Sequence, residues 1–424
     1  MRILLLTQLF HPEPNLIKGL TFARELVQRG HSVEVLTCFP NYPGGKIYPE
    51  FRQRLFQREV LDGITIYRLP LLPSHDASGL RRMLCYLSYA FSALCIGIWL
   101  IARADVVHVY QGPASLALPA MIFKFFRGMP YVYDIQDIWP DSVTSSGMLS
   151  SRLLLKLING WCNLAYRQAS RIVVLSEGFK RLLIERGVPD EKIAVVYNWC
   201  DEGDLLHAQC DPTSRQALGF AAHFIVMYAG TMGRVQGLAA VVRAGRQLRD
   251  VAPNIRLVLI GGGVEVEYLQ TLAHEIEATN VQFLPRQPSH LITSYLQVAD
   301  TLLIHLKDEP LFRITIPQKT QAYLAAGKPI IIATEGEAAD LIIQANAGIS
   351  CVPEDVDQIA KAILFMYNLP EANRRAMGEH GRQYYLRHLS MHIGIDRLET
   401  IFTEVTTRHR RNMHLKVPPE SHLQ

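Results

Sequence analysis

Asp134, Asp137 and Asp141 fall in one short stretch that also holds Gln136, Trp139, Pro140 and Ser142. A carboxylate in such a cluster can bind sugar hydroxyls or act as a base on a hydroxyl, although the same residue types also serve as caps and turns. Tyr228-Ala229-Gly230-Thr231-Met232-Gly233-Arg234-Val235-Gln236-Gly237 brings glycines, a hydroxyl and a guanidinium to the end of an apolar run. That combination suits a diphosphate, because open α/β sheets bind ligands beyond their strand C-termini. Leu259-Ile260-Gly261-Gly262-Gly263 is an apolar run ending in three glycines, which lets a ligand approach the backbone. It does not complete a GxGxxG fingerprint, since Val266 stands where the last glycine would fall. Pro317-Gln318-Lys319 opens a helical stretch with a lysine in the first turn, against the dipole preference, so the lysine reads as answering to an anion. Each of these three also has a plain reading as a turn, a solvated loop or a surface lysine.

Two further segments, Pro12-Glu13-Pro14-Asn15 and Phe39-Pro40-Asn41-Tyr42-Pro43-Gly44-Gly45-Lys46, follow the first and second apolar runs. They are expected at strand C-termini on the same side of one sheet, or to be turns and no more.

The elements that must position these segments alternate short apolar runs with helical stretches, the pattern of βαβ units and parallel sheets. Strands are expected at 3–7, 33–37, 64–69, 106–109, 131–135, 172–175 and 194–197. After about residue 200 the series restarts at 225–228, 257–260, 281–284, 301–305, 330–333 and 350–352. Helices are expected at 21–29, 238–249, 265–277 and 320–326. At 424 residues the chain is too long for one core. The expected division is 1–200 and 201–380, with the irregular stretch from Asn198 to Pro212 as the linker. A last helical stretch, about Arg374 to Thr406, is long enough for its 380–406 part to pack back on the first domain. Residues 407–424 form a basic, then polar tail.

Composition excludes several classes. The net charge of +4 and the lack of basic stretches interleaved with aromatics speak against nucleic acid. Seven cysteines without a CxxC spacing fit a reducing compartment and argue against a zinc site. No HExxH, GxSxG or GxxxxGK[ST] motif occurs, and His108 sits inside an apolar strand as a core histidine would. The apolar start, Ile3 to Leu6, runs straight into His11-Pro12 and reads as a buried strand, not a leader. Met83 to Ala102 carries no charge and follows Arg81-Arg82. It is open to three readings: a core helix, a helix that also touches a membrane surface, or a span.

Taken in order, these segments resemble the retaining glycosyltransferases of family 4, with two Rossmann-like α/β domains facing across a cleft in the GT-B fold. The branch most similar builds bacterial O-antigen, capsule and colanic-acid-type polysaccharides and includes N-acetyl-L-fucosamine transferases. The carriers run from Pro12-Glu13 through Gly30–Thr37, Phe39–Pro43, Asp137–Asp141, Leu175–Phe179 and Asn198-Trp199 to Gly230–Gly237, Pro317–Lys319, Tyr323–Pro329 and Gly336–Ala338. The wider family's two glutamates fall on Ile314 and Ala322, its diphosphate Arg and Lys on Thr231 and Gln236, and its N-terminal-domain His on Tyr110. The resemblance, with these departures shifting the phosphate charge to Arg234 and Lys319, leaves Asp137, Arg234 and Lys319 as the expected catalytic set. It implies Gly230, Thr231, Gly233, Gln236, Gly261, Gly262, Arg286 and Pro317 for the donor, and Glu13, Asn15, Asn41, Tyr42, Tyr110 and Trp139 for the acceptor. The donor it implies is a UDP-sugar, or else a GDP-sugar, and the acceptor a polyprenyl-diphosphate-linked saccharide. No metal or other cofactor is implied, and the location is cytoplasmic, on the inner face of the plasma membrane. A UDP-sugar 2-epimerase of the same fold and a non-catalytic membrane-associated scaffold are the rival readings.

Overall fold

The computed structural model describes residues 1–15, 17–74, 79–145, 151–203, 205–207 and 212–414. Cys210, part of the expected linker and the end of the tail lie outside the described residues. The chain divides into two units. The first takes in Met1–Leu175, Phe179–Val196 and Ile395–Gln424, and the second Ser176–Gly178 and Tyr197–Gly394.

The first unit is built on an eight-stranded sheet of β1 (Arg2–Leu6), β2 (Ser32–Cys38), β3 (Gln57–Leu61), β4 (Ile64–Leu69), β5 (Val106–Gln111), β6 (Tyr131–Ile135), β7 (Arg171–Val174) and β8 (Ile193–Val195). Their spatial order is β3-β4-β2-β1-β5-β6-β7-β8, parallel except for β3 against β4. The central strands are apolar on both faces, as parallel strands covered by helices must be; Ile3 to Leu6 and Tyr131 to Ile135 are buried throughout. Edge strand β3 was not expected from its polar sequence. Its signal lay in Asp62-Gly63, both at positive φ, the pair that a tight hairpin turn demands.

The longer helices of this unit are α1 (Leu20–Gln28), α2 (Gly79–Leu100, with a π-helical turn at Ala93–Gly97), α3 (Ala117–Arg127), α4 (Arg152–Gln168) and α5 (Glu177–Glu185). The chain runs from β1 to β2 in one direction along the sheet and from β4 through β5 and β6 to β7 in the other. Right-handed crossovers therefore place α1 on one face and α2, α3 and α4 on the opposite face.

The second unit has a six-stranded, all-parallel sheet of β9 (Phe224–Thr231), β10 (Ile255–Gly262), β11 (Val281–Leu284), β12 (Thr301–His305), β13 (Ile330–Ala333) and β14 (Gly348–Cys351). Its order is β11-β10-β9-β12-β13-β14. The helices that follow are α6 (Ala239–Val251), α7 (Val266–Glu275), α8 (Ser289–Val298), α9 (Gln318–Ala326), α10 (Glu337–Gln344), α11 (Val356–Asn368), α12 (Glu371–His388) and α13 (Met391–His414). Alternate residues of β9 feed two cores: Phe224, Val226 and Tyr228 on the α6 and α11 face, Ile225 and Met227 on the α9 face. Burying each such side chain contributes about 1.5–3 kcal/mol.

Two expectations need correction. Asn198, Trp199 and Cys200 are buried in the second unit rather than exposed in a linker. A Cβ on Gly394 would meet the Trp199 ring at 2.4 Å, so the glycine is what lets the indole sit there. The single helix expected over 374–406 is two, α12 and α13, separated at Leu389-Ser390. Glu202 Oε1 accepts from both the Tyr385 hydroxyl (2.7 Å) and the Met391 N–H (2.6 Å), fixing where the second helix starts. The chain joins the first unit only from Ile395, not from about 380.

Candidate functional site

In the first sheet the chain direction reverses between β1 and β5, the switch point where α/β sheets open a crevice. A cavity of about 160 Å³ lies at that end of the strands. Gln8 reaches it from beyond β1, Asn41 and Tyr42 from beyond β2, Tyr110 from β5, and Asp137 from beyond β6. Helix α2 closes one flank with Cys85 and Tyr86. Gln8 Nε2 lies 3.5 Å from Cys85 Sγ, while the buried Gln8 Oε1 has no partner among the described residues. Residue 137 keeps open surface, yet the protein crowding its carboxyl desolvates it and pushes its pKa above the usual aspartate value. Burial also raises the Tyr110 phenol, with the negative charges of Asp134 and Asp137 adding to it. Such a carboxyl among hydroxyl and amide groups can accept a proton from, or orient, an alcohol.

Other expected acceptor residues are used internally. The backbone N–H groups of Asn41 and Tyr42 both donate to Glu13 Oε1 at 2.7 Å, so Glu13 holds the loop that presents them and does not line the cavity. Burial raises the Glu13 pKa against these hydrogen bonds. Asn15 donates to the Leu9 carbonyl and accepts from the Lys18 N–H, shaping the turn before α1. Trp139 is buried against Tyr86, ring centroids 6.4 Å apart, behind the cavity wall. Asp134 is buried and does not line the cavity. Burial opposes its ionisation, but Lys18 and a 3.0 Å contact with His108 Nε2 hold its carboxyl below the usual range. His108 is a core histidine, its ring between those of Phe22 and Phe402.

In the second sheet the switch point lies between β9 and β12. The loop after β9 and the glycine turn after β10 lock backbone to backbone. Met232 N–H donates to the Gly262 carbonyl (2.9 Å) and Glu265 N–H to the Met232 carbonyl (3.0 Å). Gly261, at φ +148°, packs so close that a Cβ would stand 1.8 Å from the Gly230 carbonyl oxygen; on Gly263 it would stand 2.3 Å from that of Met232. Above Gly262 the space is open.

Lys319, on the first turn of α9, reaches this loop. Its Nζ sits 3.6 Å from the Tyr228 ring centroid and would be 3.2 Å from a Cβ on Gly230. The stem keeps some surface, but the amine is buried and has no hydrogen-bond partner among the described residues, as is true of Thr320 Oγ1 beside it. Burial pulls the Lys319 pKa down to about 7. An ammonium held by a ring face and otherwise unanswered is a site for an anion.

The supports of this loop were not legible in the sequence. The Tyr323 hydroxyl accepts from the Ala229 N–H at 2.8 Å, and the Tyr228 hydroxyl donates to the Thr231 carbonyl at 2.5 Å. His305 Nδ1 pairs with the Gln236 carbonyl (2.7 Å), and its Nε2 accepts from the Glu354 N–H (3.1 Å). That fixes the ring as neutral, and burial lowers its pKa to about 4. Of the expected donor residues, Gln236 turns inward, its Oε1 accepting from the Gly233 N–H at 3.0 Å. Thr231 and Arg286 are exposed at strand ends, and Pro317 is the N-cap of α9. The Arg234 side chain is 84% exposed, with Glu265 at 3.8 Å, so it is an exposed cation beside the loop, not a buried clamp. Ile314 accepts a hydrogen bond from the Ser176 hydroxyl through its carbonyl, and Ala322 packs on the α9-face core; neither supplies a carboxylate. Among the described residues no group of three His, Cys, Asp or Glu could hold a metal.

Comparison with known proteins gives these shapes a context. A family model described as "Glycosyl transferase 4-like domain" matches residues 20–199, and one described as "Glycosyl transferases group 1" matches residues 211–384. The chain is 26% identical over 362 residues to the putative colanic acid biosynthesis glycosyl transferase WcaI of Escherichia coli, covering 82% of this chain and 87% of that one. It is 24% identical over 289 residues to the probable glycosyltransferase WbjE of Pseudomonas aeruginosa, covering 65% and 70%. The crystal structure of Anabaena HepE in complex with UDP and glucose superposes with a TM-score of 0.69 over 95% of this chain and 99% of that one, at 18% identity.

Proposed function

Since the chain belongs to the family 4 glycosyltransferases of the colanic-acid and O-antigen type, we propose that it moves a sugar from a UDP-sugar to a lipid-linked saccharide. The sugar is N-acetylated in this reading, and the anomeric configuration is retained. The observation that carries the reading is the buried, unanswered Lys319 amine beside the glycine loop of the second unit. A diphosphate there would regain for Lys319 the charge that burial suppresses, and amides of Gly230–Gly233 would add donors. As the glycosyl bond breaks, negative charge grows on the leaving UDP, so the same groups stabilise the transition state. Arg234 swings onto the diphosphate from the rim. The UDP bound to HepE in a chain of the same fold supports the choice of nucleotide. Charge neutralisation by Lys319 and Arg234 makes a metal unnecessary.

The acceptor hydroxyl lies in the first-unit cavity, oriented by Asp137, with Gln8, Asn41 and Tyr42 binding neighbouring hydroxyls. A polyprenyl-diphosphate anchor on that acceptor suits the apolar helix α2 forming the cavity's flank, and in this reading the enzyme works at the cytoplasmic face of the plasma membrane.

The test is to incubate the purified protein with native membranes and radiolabelled UDP- and GDP-sugars, and then to extract lipid. Label in a lipid-linked saccharide, lost in Lys319→Ala and insensitive to EDTA, is the expected result. Scrambling of the donor at C2 without transfer would replace the reading by a 2-epimerase. No sugar-nucleotide binding at all would leave a scaffold.

A further inference from the structure

Helix α2 is the one segment of the described residues long and apolar enough to cross a membrane, but only 28% of its apolar window is buried. It has two faces. Cys85, Tyr89 and Ala90 are buried, while Leu80, Leu84, Leu87 and Phe91 stand exposed at spacings of four, three and four residues. That is one continuous stripe of an amphipathic helix, with the apolar side turned outward. Leu153, Leu157 and Leu164 of α4 repeat the pattern, with Gly160 in the remaining position. Between the two, the end of α3 exposes Phe125 and Phe126, their rings packed edge to face at 4.9 Å.

Topology puts all three helices on one face of the first sheet. Side chains then tie them together: Arg127 of α3 donates to the carbonyls of Ile98 and Ile101 at the end of α2, and Lys124 donates to Gln168 at the end of α4 (2.6 Å). Soluble proteins rarely leave so extended an apolar surface uncovered. Its charge is as one-sided as its hydropathy. The three helices contain Arg81, Arg82, Lys124, Arg127, Arg152, Lys156 and Arg167 and no Asp or Glu, although the whole chain is nearly balanced at 43 basic and 39 acidic residues. Arg152, Lys156 and Arg167 are exposed beside the α4 stripe.

We propose that α2, α3 and α4 form one docking surface for an anionic lipid bilayer, deepening the lipid-linked acceptor reading on which the choice of a membrane rests. Exposed leucines and phenylalanines enter the acyl boundary while the arginines and lysines meet lipid phosphates. A second copy of the chain is the poorer occupant, because a surface with cations and no anions repels itself. Trp99, 84% exposed at the end of α2, lies where an interfacial indole would sit.

The test needs neither donor nor acceptor, so it can fail or succeed independently of glycosyl transfer. The full chain is sedimented with vesicles of phosphatidylcholine alone and with vesicles that also contain phosphatidylglycerol. Binding should be at least about tenfold stronger to the anionic vesicles and weaken with salt. Leu87→Glu on α2, Phe126→Glu on α3 and Leu157→Glu on α4 should each reduce it, with unchanged circular dichroism. In the unaltered protein, brominated lipid should quench a fluorescence component that Trp99→Phe removes; of the other three tryptophans, Trp139 and Trp199 are buried and Trp161 is half-buried, its indole N–H donating to the Ala114 carbonyl. Absence of binding to anionic vesicles, or loss in the α2 variant with the α3 and α4 variants unchanged, would overturn the three-helix surface. So would a stable dimer that these substitutions dissociate.

Discussion

Replacing Lys319 with methionine should stabilise the second unit and abolish donor binding together. In the folded protein burial lowers the Lys319 pKa from 10.5 to about 7. At about 1.4 kcal/mol per pH unit this is a penalty of at most about 5 kcal/mol for holding the ammonium in the fold. The sign follows from proton counting. Between about pH 7 and 10.5 the unfolded chain keeps the proton that the folded chain has lost. Stability therefore rises with pH across that window, and the full penalty is present below it. Methionine fills the same space over Tyr228 without a charge to desolvate. Urea unfolding of both proteins between about pH 6 and pH 10 should show the variant ahead by several kcal/mol at the acid end, and the gap closing as pH rises. Calorimetric titration of the unaltered protein with UDP near pH 8 should show proton uptake, because the diphosphate restores the ammonium. A gap that does not change with pH, or UDP binding without proton uptake, would refute a desolvated amine awaiting an anion.

Gly261→Ala must push a methyl group against the Gly230 carbonyl, so it should cost roughly 2–4 kcal/mol and eliminate UDP binding. Gly262→Ala, facing open space, should leave stability within about 0.5 kcal/mol and weaken only UDP, read by thermal shift with and without ligand. His305→Phe removes the brace between the loops at Gln236 and Glu354 and should raise the donor KM severalfold with a smaller change in kcat. Because His305 stays neutral down to about pH 4, the unaltered enzyme should show no inflection from it near neutrality. Asp137→Asn should lower kcat roughly 100-fold with the donor KM unchanged, and should remove an acid limb that lies above the ordinary aspartate range.

What could be read from the chain was whatever local pattern controls. Apolar runs such as Ile3–Leu6 and Ile330–Ala333 are strands because parallel strands are covered on both faces, and the polar or glycine-rich segments after them fall at the sheet's open end for the same reason. Strand β3 escaped because an edge strand carries little hydrophobic signal, so only its Asp62-Gly63 turn betrays it. Within the sites, identity was legible and partnership was not. A glutamate in a turn looks the same whether it binds a ligand or, as Glu13 does, two backbone N–H groups of a loop far along the chain. Gln8, Tyr86 and Asp137 share a cavity only because β1, α2 and β6 converge on it. Lys319 was conspicuous for standing against the helix dipole, but its desolvation depends on Tyr228, which no spacing rule connects to it.

The packing of Gly261 and Gly263 against the carbonyls of Gly230 and Met232 also bears on how such a protein can diversify. Where a Cβ has no room, a position cannot record a preference, because every substitution breaks the loop before it alters what the loop accepts. In the proposed donor site, a cradle of amides at these points would be blind to which sugar or base hangs from the phosphates. On the proposed donor role, selection for a new donor acts through exposed side chains such as Thr231 and Arg234, where replacement is cheap. Relatives could thus drift in donor choice while the glycine frame stays fixed.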